Sequence, residues 1–362
     1  MNSNIWTTYA RFDKISFMST KKILLFLSVI ILAIGVFIFF KRSYKSEILN
    51  ETREEVSIAE SEPETPVKNF PAEHPDSIPK MAEKNYSGSD LKLGKILEDN
   101  ADYTRYFITY KSEGLTISGI LNIPKGQGPF PLIIMNHGYI DPEIYTNGRG
   151  LKREQDYFAR RGYAVLHSDY RNHAQSDFDP GNDIRPRSGY VEDVINAIEA
   201  LKKSDLKTID KEKIGMLGHS MGGGIALNIM VIKPELVKAF VLLAPISSEY
   251  RDNFERWVRN DWSEVSSQFE STYGTYAENP ELWEGISAKN YFDRITAPIL
   301  LHHGTVDKDV PLAWSQKLNE LLKKAGKNIT YFEYPGEGHT FINAQSLVMQ
   351  RTLNFFDKIL KK

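Results

Sequence analysis

A serine between glycines, Gly218-His219-Ser220-Met221-Gly222, follows the apolar run 214–217 and precedes Gly223, Gly224 and the apolar stretch 225–232. A strand that turns sharply into a helix here would expose the Ser220 hydroxyl at the tip of the turn. Glycines are then required where a side chain would collide with the neighbouring strand or helix. The helix N-terminus adds free N–H groups and a dipole that favour an oxyanion. Five residues alone could equally be a glycine-rich turn capped by a serine. The strand before the motif and the helix after it give it meaning.

A hydroxyl is a weak nucleophile at neutral pH, so a base must take its proton. The chain has eight histidines. His74 lies in a proline-rich stretch, His167 and His173 belong to an earlier strand region, and His219 is too close on the tight turn to face Ser220. His302 and His303 end a strand and read as polar residues near the core. His339, in Gly336-Glu337-Gly338-His339-Thr340-Phe341, follows the last strand, where a loop can carry an imidazole over the sheet. The orienting acid is expected between serine and histidine at a strand end, and Asp307 meets that condition. It would hold the imidazole tautomer and stabilise the imidazolium. Asp309, two residues on, is the alternative.

The elements that must position these residues alternate. The segments 106–110 and 117–123 read as an opening antiparallel hairpin. Strand-like runs follow at 132–136, 164–169, 214–217, 239–243, 299–302 and 329–334, with helical stretches such as 190–203 and 343–360 among them. In 190–203, Val191, Val194, Ile195 and Ile198 share one face. The pattern predicts an α/β fold, a mostly parallel sheet with helices on both faces. Ligands in such sheets sit beyond the carboxyl ends of the strands.

The order Ser220, Asp307, His339 and the segments around them resemble the α/β-hydrolase superfamily over about 95–362. Within it the chain is similar to the catalytic domains of prolyl-oligopeptidase-like peptidases and to dienelactone-hydrolase and feruloyl-esterase-like enzymes. The residues that carry the likeness are the GHSMGG elbow, the G-T-V-D-x-x-V-P segment ending at Pro311, the G-E-G-H-T-F segment ending at Phe341, and Asn136-His137-Gly138-Tyr139. The resemblance implies a catalytic triad. It also implies an oxyanion hole formed by the backbone N–H groups of Tyr139 and Met221, each worth about 3–4 kcal/mol in comparable sites. The run from Asp169 to Ser176 resembles the family's D-x-R-G-x-G-x-S loop, but Asn172 and Ala174 replace both glycines, which puts its backbone path in question.

A small helical cap is expected over about 246–293. The stretch 250–292 holds ten aromatic residues, about twice the 12% of the whole chain. Trp257 and Trp262 are candidate substrate-binding residues, as an acyl or aryl pocket would need; packing of the cap onto the body is the other reading. The expected activity is hydrolysis of carboxylic esters through an acyl-serine. The alternative is a serine peptidase acting on short peptides; the prolyl oligopeptidases it would resemble usually carry a β-propeller, whereas an anchor and a spacer precede this domain. A non-catalytic binding protein on the same fold is the outsider.

Residues 23–40 form a charge-free apolar run between Lys21-Lys22 and Lys41-Arg42. Eighteen helical residues reach roughly 27 Å, enough for a bilayer core. The run exceeds the usual signal-peptide core, and bulky residues lead directly into Lys41, so a single transmembrane anchor is expected, preceded by a short tail at 1–22. Flanking Lys and Arg balance, with Arg11, Lys14, Lys21 and Lys22 before and Lys41, Arg42, Lys45 and Arg53 after, so charge does not orient it. The form of a short basic leader with one anchor favours a catalytic domain outside the cytoplasm. Residues 41–94, rich in Glu and Pro, read as a disordered spacer. A net charge of −2 leaves no basic footprint for nucleic acid, and the absence of cysteine excludes thiol nucleophiles and thiolate metal sites. No cofactor is implied, and no metal, since the lone adjacent pair His302-His303 lacks a spaced carboxylate partner.

Overall fold

The computed structural model describes residues 74–362. The expected tail, the anchor at 23–40 and the spacer up to residue 73 lie outside the described residues. Among those described, no helix is long and apolar enough to cross a membrane.

Nine strands form one sheet: β1 (Ser89–Asp99), β2 (Tyr103–Ser112), β3 (Leu115–Pro124), β4 (Phe130–Asn136), β5 (Ala164–Ser168), β6 (Ile209–His219), β7 (Ala239–Leu243), β8 (Ile299–Gly304) and β9 (Ile329–Tyr334). Their order is β1-β2-β3-β5-β4-β6-β7-β8-β9. The first three form an antiparallel meander, β3 meets β5 antiparallel, and everything from β5 to β9 is parallel. Parallel strands covered on both faces read as near-continuous apolar runs, and all five residues of β5 and of β7 are buried, His167 and Ser168 of β5 included.

One face carries α1 (Ile78–Glu83), α3 (Ser188–Lys203), α4 (Met221–Ile232) and α9 (Leu312–Lys324); the other carries α2 (Lys152–Ala159) and α10 (Gln345–Leu360). Between β7 and β8 the chain builds the cap. It begins with α5 (Tyr250–Asn253), a π turn (Phe254–Val258) and α6 (Arg259–Asp261), and continues with α7 (Ser263–Tyr273) and α8 (Pro280–Gly285). Phe254, Phe269, Leu282, Trp283 and Ile286 give the cap a small core of its own.

Folded structure begins well before residue 95, which corrects the expected spacer boundary. Ser77 caps α1 by accepting from the Lys80 N–H, and Pro79 sits in the first turn, where its missing N–H costs nothing. Ile78 and Met81 enter the core, and the Gly88 N–H donates to Asn196 Oδ1 at 2.8 Å. The buried Asp76 carboxylate accepts from Arg185 and Ser188, and the His74 ring meets Tyr273 of the cap edge-on at 4.9 Å. Residues 74–88 thus form a strap across body and cap.

Candidate active site

The turn from β6 into α4 places Ser220 at φ 55°, ψ −120°. Its crowding explains the glycines. A Cβ on Gly218 would lie 2.3 Å from Gly222 O, one on Gly222 would lie 2.0 Å from Asn136 O, and one on Gly223 would lie 2.6 Å from Pro245 Cβ. The Ser220 carbonyl accepts from the Gly223 and Ile246 N–H groups, at 2.9 and 3.2 Å, so the turn is pinned on both sides.

Asp307 follows β8 by three residues, and its side chain is fully buried. Its Oδ1 accepts from the backbone N–H groups of Asp309 and Val310 at 2.9 and 3.0 Å, and its Oδ2 accepts from His339 Nδ1 at 2.7 Å. Burial by itself would raise the carboxyl's pKa. The hydrogen bonds from His303, His339 and Val310 outweigh that and hold it well below the usual carboxylate range. Between the two candidate acids, the imidazole pairs with Asp307, while Asp309 is exposed.

His339 rides on the loop after β9. Gly304 allows that loop to pass, since a Cβ there would meet Glu337 O at 2.3 Å; the Val306 N–H then donates to Glu337 O at 3.0 Å. His219 Nε2 lies 3.0 Å from the His339 carbonyl, and the two rings are 4.5 Å apart. Burial, with the neighbouring His339, pushes His219 down to about 4, so it stays neutral and donates to that carbonyl. Ser220 and His339 open onto one cavity without a hydrogen bond between them.

The loop after β4 abuts the serine: a Cβ on Gly138 would sit 3.1 Å from Ser220 Cβ. His137 is buried between the rings of Tyr145 and Tyr170 and bonds Gly138 O through Nδ1 at 2.7 Å, so it braces this loop. Tyr139 follows Gly138 in this loop, and Met221 is the first residue of α4, where a helix N–H has no partner within the helix. The cavity measures about 790 Å³, and both Trp257 and Trp262 line it from the cap. Tyr139 and Trp262 approach across it with ring centroids 5.4 Å apart.

Two histidines set aside on sequence grounds prove to be neighbours of the site. His219 holds the His339 loop. His303 places Nε2 3.2 Å from Asp307 Oδ2, while its Nδ1 meets Ser315 Oγ at 2.6 Å. Its place one residue before the strand's terminal glycine, four before the acid, was the available signal. His302 points elsewhere, to the Tyr334 hydroxyl at 2.8 Å in the core. In the 169–176 loop, Asn172 and Ala174 adopt φ of 67° and 51°, so the left-handed path that glycine favours is kept without glycine. Asp307, Asp309 and His339 also cluster closely enough to hold a cation. Since the Asp307–His339 contact already employs the inner pair, the arrangement suits proton transfer better than ligation.

The family model described as the prolyl oligopeptidase family matches residues 150–362. The uncharacterized peptidase YuxL of Bacillus subtilis is 28% identical over 241 residues, 64% of this chain and 35% of that relative. The chain thus spans about a third of that protein's length. Among solved structures, the acylaminoacyl peptidase of Pyrococcus horikoshii superposes with a TM-score of 0.57 at 23% identity, over 72% of this chain and 42% of that one. The acetyl xylan esterase of Paenibacillus sp. R4 gives 0.59 at 19% identity, over 78% and 92%. Both structural likenesses are of the α/β-hydrolase fold. The family match spans more than half of the sequence, including the elbow, the acid segment and the histidine loop, and the chain therefore belongs to the prolyl oligopeptidase family of serine hydrolases.

Proposed function

We propose that this chain hydrolyses carboxylic esters of small or medium acids through an acyl-serine. The observation that carries the reading is an apolar, aromatic-walled cavity with Ser220 and His339 on its floor and Asp307 bonded behind the imidazole. Ser220 Oγ attacks the ester carbonyl as its proton passes to His339 Nε2. Asp307 fixes the tautomer with Nδ1–H toward its carboxylate and stabilises the imidazolium. The N–H groups of Tyr139 and Met221 receive the oxyanion. His339 then returns the proton to the departing alcohol, and water releases the acid by the same steps. Trp257 and Trp262 form the cap-side wall of the acyl or leaving-group pocket.

Cleavage of short peptides is the second reading, favoured by the family and by the peptidase relatives. Fluorophosphonate labelling of wild type but not of Ser220→Ala tests the nucleophile. Comparing p-nitrophenyl acetate with a proline-containing peptide amide tests the substrate class, and faster amide cleavage would reverse the preference. Residues 23–40 would anchor the enzyme, with the catalytic domain outside the cytoplasm. Full-length protein is then expected to stay with membranes in alkaline carbonate. A mature chain beginning after Phe40 would identify a cleaved signal peptide instead.

A further inference from the structure

One guanidinium enters the cavity beside the serine. Arg187 precedes α3 with φ 54° and is half-buried on the cavity wall. Its Cζ lies 4.5 Å over the Trp262 ring and 5.5 Å from that of Tyr139, and Nη1 is 3.6 Å from Met221 Sδ. The group is therefore next to both residues whose N–H groups would receive the oxyanion. Contact with ring faces spends none of a guanidinium's N–H donors, and among the described residues the only side-chain hydrogen bond Arg187 makes is the weak one from Nη1 to Met221 Sδ.

Among the described residues, no carboxylate lies within the 4.0 Å of an ion pair with Arg187. Arg153, on the same cavity, is differently engaged, with Thr340 O and Glu154. Asp183 lines the cavity too but is exposed and unpaired with Arg187. The backbone under Arg187 is fixed as well, because Arg185 and Ser188 both donate to the buried Asp76 carboxylate. A fork-shaped cation, held by aromatic faces in an apolar cavity with only one donor engaged, and that one by a thioether sulfur, matches a planar anion that arrives with the substrate.

We propose that Arg187 receives a carboxylate of the substrate, making the preferred substrate an ester or short peptide with a negative charge near the scissile carbonyl. The inference rests on the serine-hydrolase reading above. The carboxylate can belong to the acyl group or to the leaving group, and two substrate pairs distinguish them. One pair is 4-nitrophenyl hydrogen adipate against 4-nitrophenyl hexanoate; the other is 4-acetoxybenzoate against its methyl ester. Full-length enzyme is expected to favour the anionic member of one pair by about tenfold or more in kcat/KM, as for a charge-assisted hydrogen bond. Arg187→Gln is expected to abolish that ratio, and Arg187→Lys to restore it in part. Preference for the neutral member in both pairs, or an anionic preference that survives Arg187→Gln, overturns the proposal. Fluorophosphonate labelling of each variant separates the two readings: a labelled enzyme indifferent to charge refutes the Arg187 assignment alone, whereas an unlabelled wild type refutes the hydrolase.

Discussion

At the scale of single residues, the choice between Asp307 and Asp309 shows what spacing can and cannot convey. Both acids fit the sequence order. The distinction lies in a buried carboxylate that accepts three hydrogen bonds and lies 3.2 Å from His303 Nε2, against one that is exposed. Asp307→Asn is expected to lower kcat by roughly 10³–10⁴ through the wrong imidazole tautomer, and Asp309→Asn by far less. Steady-state kinetics on the two variants checks this, and the reverse order would move the role. The nucleophile and base were legible because their motifs impose steric or positional demands on neighbouring residues. His303 was not, because its contact with Asp307 depends on how the chain turns after β8, which no local period encodes.

At the scale of elements, the parallel strands were readable since burial on both faces leaves continuous apolar runs. β1 was invisible for the opposite reason: it is largely exposed, and its apolar alternation stops after Leu91 and Leu93. α1 was hidden within the Glu- and Pro-rich stretch, although Pro79 occupies the first turn, where proline is tolerated. The cap aromatics, alike in composition, divide by position. Trp283 is in the cap core and away from the cavity, with its Nε1–H donating to Gly274 O at 3.1 Å, whereas Trp262 faces the cavity. Trp283→Ala should cost about 3–5 kcal/mol of stability with an unaltered ester profile. Trp262→Ala should instead raise KM or shift chain-length preference while Ser220 still reacts with a small fluorophosphonate. Melting curves beside substrate profiles separate the two.

At the scale of the whole molecule, the fold encloses several neutral imidazoles. Burial pushes His137 and His302 down to about 3 and His219 down to about 4, against an ordinary value of about 6.5. A depressed histidine favours the folded state fully above the unfolded value, because below it the unfolded chain binds the proton more readily. Stability should therefore be flat above about pH 7 and decline as pH falls from about 6.5 toward 4, each histidine withdrawing up to about 1.4 kcal/mol per pH unit. Urea midpoints across that range test the expectation, and a midpoint constant down to pH 4 would contradict it. The dihedral angles of Ser220 bear on the same global balance. Outside glycine, such a conformation costs about 1–3 kcal/mol, which the surrounding fold must over-determine. The hydroxyl is thus held exposed by a conformational tension that the unfolded chain does not feel. Ser220→Gly should relax it and melt higher than wild type by about 1 kcal/mol, after the entropy that glycine adds to the unfolded state, whereas Ser220→Ala keeps the Cβ and gains nothing. In this protein the residue proposed as the nucleophile is thereby also a point at which thermal resilience and reactivity oppose each other.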